Sequence, residues 1–155
     1  YDLEAYVADA GRDWVLRSAI RDGRDLLDAP IEMSPGTGSI TDVELTFTDQ
    51  HSGVSGLIST APGAPVFACY VVVFPADRAL WTAGYRRVRH QRPATNGRFG
   101  FDDLPPGDYF LAVLPDLDPA SWNSPEMLGS LVERATRVTL REGERKTQDL
   151  RVAGR

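Results

Sequence analysis

The sequence is short of the residues on which disulfides and thiol chemistry depend. It has a single cysteine, Cys69, inside the most apolar run of the chain, "VFACYVVVF". A lone cysteine excludes an internal disulfide, so folding stability has to come from a packed core. The apolar setting favours a buried, inert thiol over a nucleophile, and the cellular compartment cannot be inferred from it.

Histidines and catalytic motifs are also scarce. The only histidines are His51 and His90, and the sequence has no His-Glu-x-x-His motif, no cysteine pair, no Gly-x-Ser-x-Gly elbow and no glycine-rich phosphate loop. A serine triad built from Ser52 or Ser55 and a distant histidine stays open, but no motif supports it. We therefore predict no catalytic residues, no cofactor and no enzymatic activity.

Long apolar segments and an excess of basic charge are absent as well. The run "VFACYVVVF" is far shorter than the roughly 20 residues that cross a bilayer, and no segment has the pattern of a signal peptide. The net charge is -5, so the chain as a whole lacks the basic field typical of nucleic-acid binding. We expect neither a membrane span nor a nucleic-acid partner.

The composition is that of one globular domain with an appendage. The chain has 155 residues, of which 42% are hydrophobic and 25% charged. Its first part contains about three strand-like segments, "DWVLRSAI", "LLDAPIEM" and "ITDVELTF". Three strands expose too much apolar surface to stand alone. Residues 1–48 are therefore either an added layer on the main domain, residues 49–155, or the tail of a preceding sandwich.

The stretch "NGRFGFDDLPPGDYFLAV" is the clearest structural signal in the main domain. Two alternating apolar runs, typical of half-buried strands, flank a Pro-Pro-Gly corner, and an Asn-Gly pair supplies a tight turn. A short helix is expected over residues 125–134, capped by Ser124, and "TRVTL" and "KTQDLRV" are expected to close the chain as a hairpin-like pair. The residues to which we assign structural roles are Asn96, Gly97, Phe99, Phe101, Leu104, Pro105, Pro106, Gly107 and Tyr109.

These motifs occur in an order that resembles the carboxypeptidase regulatory-like domain, a prealbumin-like (transthyretin-like) β-sandwich of bacterial secreted and envelope proteins. The matching segments are residues 53–57, 63–74, 95–101, 104–109 and 138–144. The chain departs from the family pattern in two inserts, one carrying Trp81 and one over residues 116–134. The resemblance implies an all-β fold: an Ig-like or prealbumin-like antiparallel sandwich of about seven strands with one short helix, plus the N-terminal strand segment. It also implies a periplasmic or extracellular location.

Aromatic and basic residues in the inserts are the candidates for ligand binding. Exposed rings suit sugar stacking or protein docking, although a tryptophan on a long loop more often folds back as a lid on the core. The basic segment over residues 85–92 is interpreted mainly as an exposed, charged edge strand, with an anion site as the alternative. The acidic clusters, at residues 102–108 and 22–32, lack the spacing of a calcium loop, and no metal site is predicted. The candidate ligand-binding residues are Trp81, Tyr85, Arg87, Arg89 and Trp122.

The resemblance favours a non-catalytic structural module that supports assembly or domain spacing in a secreted or envelope protein. Its partners would be other domains or subunits. If residues 1–48 are half of a sandwich, copies of the chain could complete one another by strand addition and form a homo-oligomer or fibre. Two alternatives stay open: a carbohydrate- or peptide-binding module that uses the loop aromatics, and a regulatory domain cut from a larger envelope enzyme.

Overall fold

The computed structural model describes residues 1, 3–8, 11–29, 31–59, 68–81 and 86–152, and it has an all-β architecture with one short helix. The first two strands, β1 (Val15–Arg21) and β2 (Arg24–Asp25), form a hairpin, and β3 (Glu44–Thr48) pairs with β1 on its other side. This three-stranded unit, the N-terminal sheet, is antiparallel throughout. Of the three predicted segments, "LLDAPIEM" forms no strand in its described residues.

Two four-stranded sheets form the sandwich. The first contains β4 (Gly53–Ser59), β7 (Arg98–Phe101), β10 (Arg145–Thr147) and β11 (Leu150–Arg151). The second has the order β6 (Arg89–Gln91), β5 (Tyr70–Pro75), β8 (Gly107–Leu114), β9 (Thr136–Leu140). The expected all-β sandwich is confirmed, with one local departure: β10 and β11 run parallel to β4.

The expectation of a closing hairpin is wrong. β9 pairs with β8, whereas β10 and β11 pair with β4, so the turn between β9 and β10 carries the chain from one sheet to the other. The turn places Gly143 at a φ of 73°, where a side chain would be strained. This crossing closes one side of the sandwich without a hairpin.

The space between the two sheets holds the first hydrophobic core. The alternating residues of β7 and β8 point into it, as their period of two predicts, and β4, β5 and β9 contribute from the other positions. Leu104 and the ring of Tyr109 are fully buried here. The core residues include Val54, Ile58, Val71, Val73, Phe99, Phe101, Leu104, Tyr109, Leu111, Val138 and Leu140.

A second core covers the outer face of the β5–β8 pair. Helix α1 (Pro125–Leu131) begins after Ser124, whose hydroxyl accepts a hydrogen bond from the Met127 amide at 3.2 Å, and a 3-10 helix, Val132–Arg134, extends it. Leu128 and Leu131 of the helix pack with Val72 and Phe74 of β5. Because both faces of β5 are covered, its run of valines is apolar without alternation.

A hydrogen bond from Tyr109 stabilises the Pro-Pro-Gly corner before β8. The Tyr109 hydroxyl donates to the Pro105 carbonyl at 2.6 Å, four residues upstream, which fixes the path of the two prolines. At the preceding turn, Asn96 Oδ1 accepts from the Arg98 amide at 3.1 Å and Gly97 takes a φ of 83°, the conformation for which glycine is suited. Gly107 begins β8 at a φ of 149°.

Candidate functional site

The N-terminal sheet lies against one end of the sandwich through a group of ion pairs. Arg87 Nε donates to Asp28 Oδ1 at 2.7 Å and its Nη2 donates to Asp28 Oδ2 at 3.1 Å, which is a bidentate pair. Arg86 Nη1 reaches Asp28 Oδ1 at 3.0 Å and Asp25 Oδ2 at 3.4 Å. The four side chains are only 13–20% exposed, so this charge network, which we call the docking cluster, is largely shielded from solvent.

The docking cluster is continuous with the Pro-Pro-Gly corner. Arg87 Nη1 donates to the Tyr109 hydroxyl at 3.3 Å, and that hydroxyl donates to Pro105. Burial by itself lowers the pKa of Arg87, but the hydrogen bonds and charge of Asp28, together with the neighbouring Tyr109, outweigh it and raise the pKa above its ordinary value. The guanidinium therefore stays charged and connects residues 1–48 to the core of the sandwich.

A β-bulge in β1 makes a second connection between the N-terminal sheet and the sandwich. The register shifts between Leu16 and Ser18, which leaves Arg17 outside the regular ladder. The freed Arg17 carbonyl accepts a hydrogen bond from Arg86 Nη2, and the Arg17 side chain pairs with Glu142 at 3.1 Å. Glu142 also accepts from the Thr48 hydroxyl at 3.4 Å, so the turn between β9 and β10 contacts both β1 and β3.

His51, in the segment between β3 and β4, forms a third connection between the N-terminal segment and the sandwich. Its Nδ1 lies 2.5 Å from Asp103 Oδ1, and its Nε2 lies 3.0 Å from the Asp13 carbonyl. The hydrogen bond with Asp103 raises the pKa of His51, and the neighbouring Asp13 acts in the same direction, against an opposing effect of burial. Only the protonated imidazole can donate to both acceptors at once. Asp103 takes a φ of 53°, a conformation that favours residues such as Asp and Asn.

These connections surround a small crevice of about 120 Å³ between the N-terminal sheet and the sandwich. Its lining carries both signs of charge, Arg17 and Arg86 as well as Asp103 and Glu142, beside apolar residues such as Leu16. Such a mixed lining, already paired within the chain, offers no net charge to a ligand ion. The crevice is the gap left where the N-terminal sheet meets the Pro-Pro-Gly corner of the sandwich.

The predicted aromatic ligand site is not assembled in the structure. Trp81 and Trp122 are 5% and 8% exposed, and both belong to the second hydrophobic core. Trp81 Nε1 donates to the Pro75 carbonyl at 2.6 Å, and the Trp122 ring centroid lies 4.5 Å from that of His90. Both tryptophans thus cover the core, as the favoured interpretation of a lid predicts, and neither ring is exposed for stacking; the assignment of this set to ligand binding stays a prediction. Tyr85 lies outside the described residues.

The basic segment also differs from the prediction of an exposed charged strand. Only Arg89–Gln91 forms strand β6, and Arg87 precedes it in a turn. Arg89 pairs in register with Val73 and Gln91 with Val71, so both point toward the space between the sheets. Arg89 Nε and Nη2 are buried without a hydrogen-bond partner among the described residues, and burial lowers the pKa of this arginine.

Ser52, one of the two serines that the sequence left open as a nucleophile, has a structural role. Ser52 is 4% exposed; its hydroxyl donates to the Arg141 carbonyl at 3.1 Å and accepts from the Gly143 amide at 2.8 Å. Its proton is therefore committed to the β9–β10 turn. Across the described ranges, no group of three or more His, Cys, Asp or Glu residues is placed to hold a metal ion.

Sequence reasoning missed the docking cluster because it treated the two charged segments separately. Asp25 and Asp28 entered the sequence analysis only as members of an acidic cluster without calcium-loop spacing; in the structure, Asp25 Oδ1 also accepts from the Ala19 and Leu27 amides at 3.1 Å each. The signal that could have found the pairing is the opposite charge of the acidic and basic segments within one chain. In the part of the chain that the structure describes, no helix has the length and apolarity needed to cross a bilayer.

Comparisons with known proteins assign no family. No protein-family model matches the chain, and no curated protein matches it. Among solved structures, the chain is similar to GBS52, the minor pilin of the Gram-positive pathogen Streptococcus agalactiae, with 11% sequence identity and a TM-score of 0.39. The match covers 86% of this chain and 56% of that chain, so this chain spans just over half of that protein's length. The carboxypeptidase regulatory-like family stays a prediction.

Proposed function

We propose that this chain is a non-catalytic assembly module that joins other domains or subunits by strand addition at its N-terminal sheet. The observation that carries the proposal is the incompleteness of this sheet. Among the described residues of β1, β2 and β3 only Ala19 is buried, and neither hydrophobic core includes a residue from the first 48. A sheet of this size normally has one apolar face covered.

The docking cluster supports the proposal because it fixes the N-terminal sheet through charged groups, while Val15, Leu16 and Phe47 of that sheet stay only half-buried. Ion pairs and hydrogen bonds fix position and orientation, whereas burial of apolar area supplies most of the stabilisation in ordinary packing. Leu45 of β3 remains 42% exposed. We therefore regard residues 1–48 as an added layer of the same unit, held ready for a further strand, and not as the tail of a separate sandwich.

A peptide titration tests the proposal. The peptide of residues 13–21, DWVLRSAIR, is the native partner strand of β3 and so has a side-chain pattern that fits it. If the sheet accepts strands, the peptide binds saturably and increases the hydrogen-exchange protection of the β3 amides. A peptide N-methylated at alternate residues loses the backbone donors and should not bind. Equal binding of both peptides, or no change in protection of β3, would contradict strand addition.

A secreted or cell-envelope location belongs to the same proposal, and it rests on the resemblance to the carboxypeptidase regulatory-like domain. Its test is the accessibility of the native protein to an added protease in intact cells. Cleavage without lysis agrees with a surface or secreted location, and protection until the cells are lysed contradicts it. The regulatory role in a larger envelope enzyme stays a prediction that the flanking gene sequence would decide.

A further inference from the structure

Among the described strands, the sheet edges differ in how they are protected against pairing with another chain. Edge strand β6 is three residues long and points the charged Arg89 inward, while β2 has only two residues. The Gln91 side chain accepts from the Gly100 amide of β7 at 3.3 Å. Lys146 Nζ donates to the Thr139 carbonyl of β9 at 3.1 Å. Short strands, inward charges and occupied backbone groups are recognised devices against edge pairing.

The remaining long edge is also interrupted. The strand beside β4 is divided into β10 and β11, three and two residues long. The Asp149 side chain, which lies between them, accepts from the Leu57 amide of β4 at 2.9 Å. A partner would therefore meet two short strand segments there, of three and two residues, instead of one continuous strand. The outer edge of β3 differs from these edges.

Strand β3 has none of these protections. It is five residues long, with the sequence Glu-Leu-Thr-Phe-Thr, and within the described ranges its only strand partner is β1. Thr and Phe are well suited to a pleated surface, and the one charged residue, Glu44, stands at the end of the strand. The outer edge of β3 is thus a five-residue template for another strand.

The register of β1 and β3 defines the two faces that an added strand would extend. Leu45 lies opposite Ala19 and Phe47 opposite Leu16, so these four apolar residues share one face. The other face carries Thr46 opposite Ser18, together with the apolar residues Val15, opposite Thr48, and Ile20, opposite Glu44. An added strand fits this edge if it presents large apolar residues beside Leu45 and Phe47 and a small polar residue beside Thr46.

We propose that the strand added at this edge is β3 of a second copy of the chain, in an antiparallel pair centred on Thr46. In this register Thr46 faces Thr46 of the second copy, Leu45 faces Phe47, and Glu44 faces Thr48. The proposal rests on the proposed function, because it requires that the edge accept a strand. It gives a twofold-symmetric dimer in which two N-terminal sheets form one sheet of six strands.

The sequence of β3 favours its own copy because every opposed pair is compatible. Thr–Thr pairs stabilise antiparallel sheets, and like charges placed opposite each other destabilise them. A Leu–Phe pair buries apolar area across the two strands. The centred register brings no two Glu44 side chains together, since they lie at opposite ends of the paired segment. The apolar face of one sheet, Leu16, Ala19, Leu45 and Phe47, continues across the dimer.

Cysteine crosslinking tests the register. All variants are made in a Cys69→Ala background and oxidised mildly. The first sample is Thr46→Cys alone, and the second is a mixture of Leu45→Cys with Phe47→Cys. We expect a disulfide-linked dimer in at least one of the two samples. Neighbouring antiparallel pairs alternate between close and wide spacing, so at least one of these pairs meets disulfide geometry. The control is Glu44→Cys alone: the two positions are offset by four residues, on the order of 13 Å, and should not crosslink.

Sedimentation equilibrium of variants with opposite charges at position 46 tests whether the added strand is β3 of a second copy. Thr46→Lys and Thr46→Glu should each weaken the dimer at least tenfold, because like charges then oppose each other at the symmetry axis, and an equimolar mixture should restore it. Leu57→Lys, a change at a leucine that is 46% exposed on β4, should alter dimerisation less than twofold. The restored mixture shows that both variants fold.

Each outcome distinguishes this inference from the proposed function. A chain that is monomeric up to millimolar concentration but binds the peptide of residues 13–21 overturns the dimer and leaves strand addition standing. A monomer that binds no strand peptide overturns both. A dimer that neither charge variant weakens associates through another surface, which also overturns the inference.

Discussion

The Arg87 guanidinium and the Asp28 carboxylate form a bidentate ion pair with donor–acceptor distances of 2.7 and 3.1 Å, and their side chains are 13% and 17% exposed. This pair joins two parts of the chain that are far apart in sequence, the segment after β2 and the turn before β6. Arg87 also contacts Tyr109, so the pair fixes the N-terminal sheet relative to the sandwich core.

We expect Arg87→Lys to destabilise the protein by about 2 kcal/mol or more, because an ammonium cannot reproduce two parallel hydrogen bonds and leaves part of a buried carboxylate unpaired. The measurement is urea unfolding followed by circular dichroism. The matched control is Arg145→Lys, whose pair with Asp102 is 66% and 79% exposed. It should change stability by less than about 0.5 kcal/mol. Equal losses of unfolding free energy in the two variants would show that the Arg87–Asp28 pair stabilises the protein no more than an exposed ion pair does.

We expect Tyr109→Phe to cost about 1–2 kcal/mol, because the Pro105 carbonyl and Arg87 Nη1 both lose their hydrogen-bond partner inside the protein. Thermal unfolding measures this loss. Tyr70→Phe is the control, since its hydroxyl accepts from Arg92 Nη2 in an exposed position. A loss at position 109 no larger than at position 70 would show that the corner does not depend on its tyrosine.

The His51 connection predicts a pH dependence of stability. The pKa of His51 is raised in the folded protein by Asp103, above an unfolded value of about 6.5. Its contribution is therefore fully present below pH of about 6.5 and is lost as the pH rises through the folded pKa. Unfolding free energies between pH 5 and about 9 should show this decline, and Asp103→Asn should lower the pKa of His51 in an NMR titration. A His51→Asn variant that keeps the wild-type decline would contradict the assignment.

Two glycine-to-alanine changes should act in opposite directions. A Cβ on Gly56 would stand 2.1 Å from the Gln148 carbonyl oxygen, so Gly56→Ala should separate β4 from the strand beside it and destabilise the protein by more than about 2 kcal/mol. A Cβ on Gly129, within helix α1, meets nothing closer than 3.6 Å. Gly129→Ala should stabilise the protein by up to about 1 kcal/mol through helix propensity. Thermal unfolding of both variants checks the difference in sign.

Local patterns predicted much of the sandwich. The alternation around the Pro-Pro-Gly corner gave strands β7 and β8, and Ser124 and Pro125 gave the start of helix α1. These features depend on residues within a few positions of one another, so a single sequence contains them. The membership of β9 and β10 in different sheets was missed because hairpin and crossover connections begin with the same kind of turn.

The candidate site could not be predicted in the same way, because its contacts are not local. Arg86 and Arg87 look like exposed charges until Asp25 and Asp28, about sixty residues earlier, are brought against them. Trp81 and Trp122 look like ligand-binding aromatics until the sheet beneath them is known. The sequence identified these residues as unusual, but the tertiary structure decides whether they are exposed or paired.

The central claim is that residues 1–48 are docked on their own sandwich by the Asp28–Arg87 pair, which leaves β3 free for strand addition. A double-mutant cycle with Asp28→Ala, Arg87→Ala and the double variant, measured by urea unfolding, tests it most directly. We predict a coupling energy of at least about 1.5 kcal/mol, as expected for a close, shielded charge pair. A coupling energy near zero would mean that the pair does not hold the N-terminal sheet in place, and it would contradict the account.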